Sequence, residues 1–191
     1  MRKNAMNKDI LRILVDEKQI DEMTTRLAAE IDRDFDGEHL VLLGILKGSL
    51  PFMADLMKKI RSNPEIEVMK VSSYGRDTRS TGSVKIVLDW QRPHIEDCDI
   101  VIIEDIIDSG FTLSYLCEYL KQKGARSVHT CTLLDKPSRR EVDFTPDYCG
   151  TVVPDEFVVG YGLDYAERYR ALPYIGVLKP EIYEKKETEK K

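Results

Sequence analysis

Among the 191 residues there are only four cysteines. Cys98, Cys117, Cys131 and Cys149 form no C-x-x-C pair, which argues against a zinc site. No apolar run approaches the ~20 residues of a membrane span. The opening MRKNAMNKDI has no apolar core of the kind a signal peptide carries. Positive charge is not in excess: 29 Lys and Arg face 34 Asp and Glu, a net charge of −5. That balance argues against an overall nucleic-acid footprint, although a local basic patch stays open. No internal repeat is visible. From these absences we expect a cytoplasmic protein with reduced thiols that binds neither nucleic acid nor membrane.

What is present fits one domain with a sizeable core, with 42% hydrophobic and 33% charged residues. We expect a single domain over residues 1–183 and a disordered charged tail, EKKETEKK, over 184–191. Ile20, Met23, Leu27, Ile31 and Phe35 recur near helical spacing, predicting a helix from about Glu17 to Asp34. HLVLLGIL (39–46) is an apolar run of strand length, after which Pro51 opens a second helix. Strands are predicted over 66–73, 84–89, 99–105 and 127–135. Leu113, Leu116, Cys117 and Leu120 predict a helix over 112–123, stopped by Gly124. Beyond about residue 148, short strands and loops follow. Strands that alternate with helices and are apolar along their whole length indicate a largely parallel sheet covered on both faces. Ligands then bind beyond the carboxyl ends of the strands.

The stretch IVIIEDIIDSGFT (100–112) concentrates chemistry at such an end. Four buried-type residues lead into Glu104 and Asp105, then Asp108 and a Ser-Gly turn. Asp108-Ser109-Gly110-Phe111-Thr112 runs from strand into helix, where free N–H groups and the macrodipole favour an anion. Ser109 and Thr112 add hydroxyl donors, and Gly110 lets the backbone come close. Carboxylates beside an anion cradle suit a ligand bringing hydroxyls or a hard cation, such as a sugar phosphate with Mg²⁺. Taken singly, Asp108 is equally a helix N-cap, and Glu104 and Asp105 are surface acids.

VIIEDIIDSGFT resembles the 5-phosphoribosyl 1-pyrophosphate signature of the type I phosphoribosyltransferases. GILKGSLPFMADL, VSSYG, LLDKP, EFVVGYGLDYAERYR and LPYIGVLKPEIY resemble the bacterial hypoxanthine(-guanine) members of that family, from about Asp9 to Tyr183. The resemblance implies an α/β fold: a central, mostly parallel sheet flanked by helices, a small hood from parts of the N- and C-terminal segments, and a flexible lid loop. It implies purine salvage: transfer of the phosphoribosyl group to hypoxanthine, and to guanine, with Mg²⁺ as cofactor. It also implies a homo-oligomer, dimer or tetramer.

Roles follow by the same resemblance. Glu104 and Asp105 hold the ribose hydroxyls and, with Asp164, the metal. Asp108 takes a proton from the purine, and Asp108, Ser109, Gly110, Phe111 and Thr112 cradle the 5-phosphate. Lys47, Gly48 and Arg170 meet pyrophosphate, with a cis peptide between Lys47 and Gly48. Lys136, Phe157, Val158 and Asp164 meet the purine, and Ser73 and Tyr74 belong to the lid over 72–83. Lys136 is a donor only, so it favours a 6-oxo base over adenine. Read alone, Lys47, Lys136, Asp164 and Arg170 are ordinary surface charges and Phe157 a core residue. The order K-G-S at 47–49 is not the G-K-S of a Walker loop. Two other readings stay open: a phosphoribosyl-pyrophosphate-sensing regulator of the same fold, and a receiver-type signalling domain. The second scatters its acids over several strands, whereas here all three lie in one turn.

Overall fold

The computed structural model describes residues 7–35, 39–73 and 84–184. A six-stranded sheet lies at its centre. Its strands are β2 (Leu40–Leu46), β3 (Glu65–Ser73), β4 (Val84–Leu88), β5 (Asp99–Ile107), β6 (Ser127–Asp135) and β7 (Tyr148–Val152). They run in the order β4-β3-β2-β5-β6-β7. All neighbours are parallel except β3 and β4. β5 shows why the sheet is buried on both sides. Val101 and Ile103 point into the core beneath α1 (Glu17–Asp34) and α2 (Leu50–Met57). Ile100 and Ile102 point into the core beneath α3 (Phe111–Gln122). A strand with helices on both faces has no polar side, hence its uninterrupted apolar run.

The first helix starts where its cap dictates. Gln19 N–H donates to Asp16 Oδ1 at 2.8 Å and Asp16 N–H to Gln19 Oε1 at 2.9 Å, a reciprocal capping box. Ile20, Thr24, Leu27, Ala28 and Ile31 form its buried stripe. Met23, on the expected stripe, is partly buried, and Phe35 falls one residue past the end as the C-cap.

One strand runs longer than the sequence predicts, and another is not predicted at all. β5 continues two residues past Asp105, because Ile106 and Ile107 still pair with Leu134 and Asp135 of β6. Glu104 and Asp105 therefore sit inside the strand, and Asp108 just past its end. A further strand, β1 (Ile10–Val15), precedes α1. It pairs antiparallel with β9 (Ile175–Leu178), which pairs with β8 (Val158–Val159). This three-stranded sheet joins N- and C-terminal segments. A short helix, α4 (Pro180–Tyr183), ends the described chain. Tyr74 and the stretch 74–83, which hold most of the expected lid, and the tail beyond Glu184, lie outside the described residues.

The strand order fixes where a ligand goes. From β2 the chain moves outward to β3, then returns to β5 and moves the other way to β6 and β7. The order reverses between β2 and β5, and the crevice at their carboxyl ends is the expected ligand site. β2 delivers Lys47 and Gly48 there, and β5 delivers Glu104 through Ser109.

Candidate active site

The β5–α3 turn opens as the sequence implied. Gly110, at φ 88°, is the N-cap residue of α3, with no side chain capping the helix. That conformation suits glycine. Asp108 is therefore not the cap, and its side chain stays 54% exposed. Among the described residues, none accepts a backbone hydrogen bond from the N–H groups of Ser109, Gly110, Phe111 or Thr112. A cavity of about 280 Å³ lies over this turn, lined by Glu104, Asp108, Ser109, Gly110 and Thr112. The exposed Phe111 is outside its lining.

On the other side of Asp108 lies a cavity of about 480 Å³, lined by Ile106, Lys136, Phe157, Val158, Leu163 and Asp164, among others. Lys136 is buried, an unusual state for a lysine. Its Nζ donates to the Glu156 carbonyl at 3.0 Å and stands 3.7 Å from Asp108 Oδ1. The Phe157 ring stacks on Tyr183 at 5.0 Å and meets Tyr165 edge-on at 5.6 Å. The two cavities share Ile106 and Asp108.

Glu104 and Asp105 lie side by side and form no salt bridge with another side chain among the described residues. Burial, and then the neighbouring Asp105, push the Glu104 carboxyl well above the usual carboxylate range. Burial likewise raises Asp105. Asp105 lies on Gly48: a Cβ there would fall 1.7 Å from Asp105 Oδ2, so only glycine fits the approach. Two adjacent acids that resist ionising suit a hard divalent cation, which relieves both burial and mutual repulsion. Among the described residues no three His, Cys, Asp or Glu side chains converge as a metal site. Asp164 does not join the pair. Its Oδ1 is 2.7 Å from Arg170 Nη2, and its Oδ2 accepts the Glu167 N–H at 2.8 Å. The guanidinium already neutralises it, and it lines the larger cavity instead.

The third group lies beside Gly162, where an added Cβ would fall 1.9 Å from the Gly48 carbonyl oxygen. Arg170 Nη1 donates to the Gly162 carbonyl at 2.7 Å, while its buried Nε has no partner among the described residues. Lys47 Nζ reaches Glu167 Oε2 at 3.0 Å. The cis peptide lies between Leu46 and Lys47, not between Lys47 and Gly48, falling where β2 hands over to the turn. Ser73 ends β3, and Tyr74 is outside the described residues.

The structure thus brings Glu104, Asp108, Ser109, Gly110 and Thr112 to one cavity and Asp108, Lys136, Phe157, Val158 and Asp164 to the other. Asp105 lies against Gly48, Lys47 and Arg170 meet at Glu167, and Phe111 lines neither cavity. Sequence reasoning missed Glu167, Tyr183 and Arg140, the partner of Asp135. Nothing in their spacing separates them from surface residues.

A crevice at a strand-order reversal, with an anion turn and an acid pair, fits an α/β domain that binds a phosphate-bearing ligand. The chain belongs to the phosphoribosyl transferase domain family, matching it over residues 13–166. It is 53% identical over 179 residues to the hypoxanthine-guanine phosphoribosyltransferase of Bacillus subtilis, covering 94% of this chain and 99% of that protein. A hypoxanthine phosphoribosyltransferase structure from Staphylococcus aureus superposes with a TM-score of 0.90 at 47% identity, covering 96% and 99% of the two chains. The chain is also 51% identical over 179 residues to the bifunctional protein TilS/HprT of Listeria monocytogenes, covering 94% of this chain and spanning only 28% of that protein's length.

Proposed function

We propose that the chain moves the 5-phosphoribosyl group from 5-phosphoribosyl 1-pyrophosphate to N9 of hypoxanthine, and of guanine, in purine salvage. The observation that carries this reading is the sharing of Asp108 by the two cavities. One cavity offers free N–H groups to a phosphate. The other offers an aromatic ring and a buried ammonium to a planar base with a carbonyl. A group transferred between the two ligands passes Asp108, the charged one of the two residues that both cavities share.

In this reading Phe157 stacks on the purine, and Lys136 donates to its 6-oxygen. The donor is held in place by the Glu156 carbonyl, and an amino group at that position would leave it unpaired. N9 bonds to the ribose carbon as the bond to pyrophosphate breaks, and the N7 proton passes to Asp108. Lys47 and Arg170 receive the leaving pyrophosphate. Glu104 and Asp105 would hold the ribose hydroxyls and Mg²⁺. Bound there, the ion supplies positive charge against pyrophosphate.

We place the activity in the cytosol. The cysteines among the described residues are free, and no helix among those residues is long and apolar enough to cross a membrane. A second copy of the chain is the expected partner: Leu50 and Met57, seven residues apart on α2, are both exposed.

The test is direct. The protein is incubated with 5-phosphoribosyl 1-pyrophosphate, Mg²⁺ and hypoxanthine, guanine or adenine, and nucleotide is followed. We expect inosine and guanosine monophosphates, little adenosine monophosphate, and no product in excess chelator. Equal use of adenine, or no nucleotide from any base, would contradict the proposal.

A further inference from the structure

The phosphate turn is held from behind. The Asp108 carbonyl oxygen accepts a hydrogen bond from Arg140 Nη1 at 2.5 Å. The Ser109 carbonyl oxygen accepts from the Glu141 and Val142 N–H groups at 3.0 and 3.3 Å. Arg140 Nη2 pairs with Asp135 Oδ1, and both side chains are only 14% exposed. Asp135 ends β6, next to Lys136. The fit is close: a Cβ on Gly110 would lie 2.8 Å from Val142 Cγ2 and 3.1 Å from Arg140 Cδ.

These bonds have a consequence for the other side of the turn. The peptides here are trans, and in a planar trans peptide the carbonyl and the following N–H point in opposite directions. Drawing the Asp108 and Ser109 carbonyls toward residues 140–142 turns the Ser109 and Gly110 N–H groups the other way. Neither N–H has a backbone acceptor among the described residues.

We infer that Arg140 is a positioning residue for the transfer reaction. Anchored by Asp135, it sets the Asp108–Ser109 peptide so that its N–H faces the phosphate. It thereby ties the end of β6, which carries the purine donor Lys136, to the turn that carries Asp108. Arg140 acts through that peptide and touches no substrate. The inference rests on the transfer activity proposed above.

Steady-state kinetics of Arg140→Ala and Arg140→Lys, with melting temperatures measured on the same samples, test it. The wild type is assayed first, so absence of transfer there would overturn the activity and not the role of Arg140. We expect Arg140→Ala to raise KM for 5-phosphoribosyl 1-pyrophosphate by about 10- to 100-fold, the usual worth of a charge-assisted hydrogen bond. KM for hypoxanthine should change much less. Guanidinium ion added to the alanine variant should recover part of the loss, with no such gain in the wild type. Lysine lacks the fork that reaches a carbonyl and a carboxylate together, so Arg140→Lys should keep roughly a tenfold defect. Should the alanine variant not fold, the lysine variant decides. A folded variant with wild-type KM would overturn the proposal, as would equal losses for both substrates that guanidinium does not relieve.

Discussion

Lys47 Nζ lies 3.0 Å from Glu167 Oε2. Arg170 Nη2 stands 3.6 Å from the same oxygen. One carboxylate therefore bridges the two cations that the proposed mechanism assigns to pyrophosphate. The hydrogen bond from Lys47 holds the Glu167 carboxyl below its ordinary range, so it is charged at neutral pH.

An incoming pyrophosphate must displace that carboxylate. Glu167→Gln should lower KM for 5-phosphoribosyl 1-pyrophosphate by about 2- to 5-fold, the scale of an exposed ion pair. Inhibition by pyrophosphate should strengthen in parallel. Initial-rate kinetics read both, and a raised KM would show that Glu167 assists binding.

Gly48→Ala should be far more damaging than its size implies. The added carbon would meet Asp105 Oδ2 at 1.7 Å, so the turn or the acid must move. Displacements near 1 Å cost about 100-fold in rate, and we expect a fall of that order in kcat/KM. A variant with wild-type kcat/KM would mean that the turn yields freely.

Tyr183 backs the ring proposed to stack on the purine. Aromatic pairs of this kind are worth about 0.5–1.5 kcal/mol. Tyr183→Ala should therefore raise KM for hypoxanthine by about 2- to 10-fold with little change for the other substrate, while Tyr183→Phe behaves as wild type. Equal KM values for alanine and tyrosine would remove the support role.

Glu104 and Asp105 predict a pH dependence of stability. Both carboxyls are raised, so the folded state holds their protons more tightly than the unfolded state does. Their contribution is fully present below the unfolded carboxylate pKa of about 4 and is lost as pH rises through the higher folded values. Asp55, Asp89 and Asp99 shift the other way, so the readout is the difference between Glu104→Gln and wild type. Without metal, the variant should melt about 2–4 °C higher at neutral pH, with the gap closing toward pH 4. Thermal melts across pH check this, and a gap that does not vary with pH would contradict it.

Much of this architecture was legible because it is local. The helix over 17–34, the apolar run into Glu104 and the turn at Gly110 all announce themselves within a few residues. The features that stayed hidden are long-range. β1 is completed by β9, more than 150 residues away, where Ile10 meets Leu178. Leu11 and Ile13 are exposed, so its pattern lacks the alternation of a half-buried strand. Arg140 looks like any charge in PSRREV until the fold brings Asp108 and Asp135 to it. The sequence pattern ends β5 at Asp105, because its pairing to β6 through Ile107 is invisible in one dimension.

The most direct test of the mechanism is kcat for Asp108→Asn, with inosine monophosphate affinity measured on the same preparation. Asparagine keeps the shape between the two cavities but is a poor proton acceptor. We predict that kcat falls by about 10²- to 10⁴-fold, the usual contribution of a general base, while nucleotide affinity stays within a few-fold of wild type. A kcat close to the wild-type value would remove Asp108 from the proton transfer and contradict the mechanism built on the meeting of the two cavities.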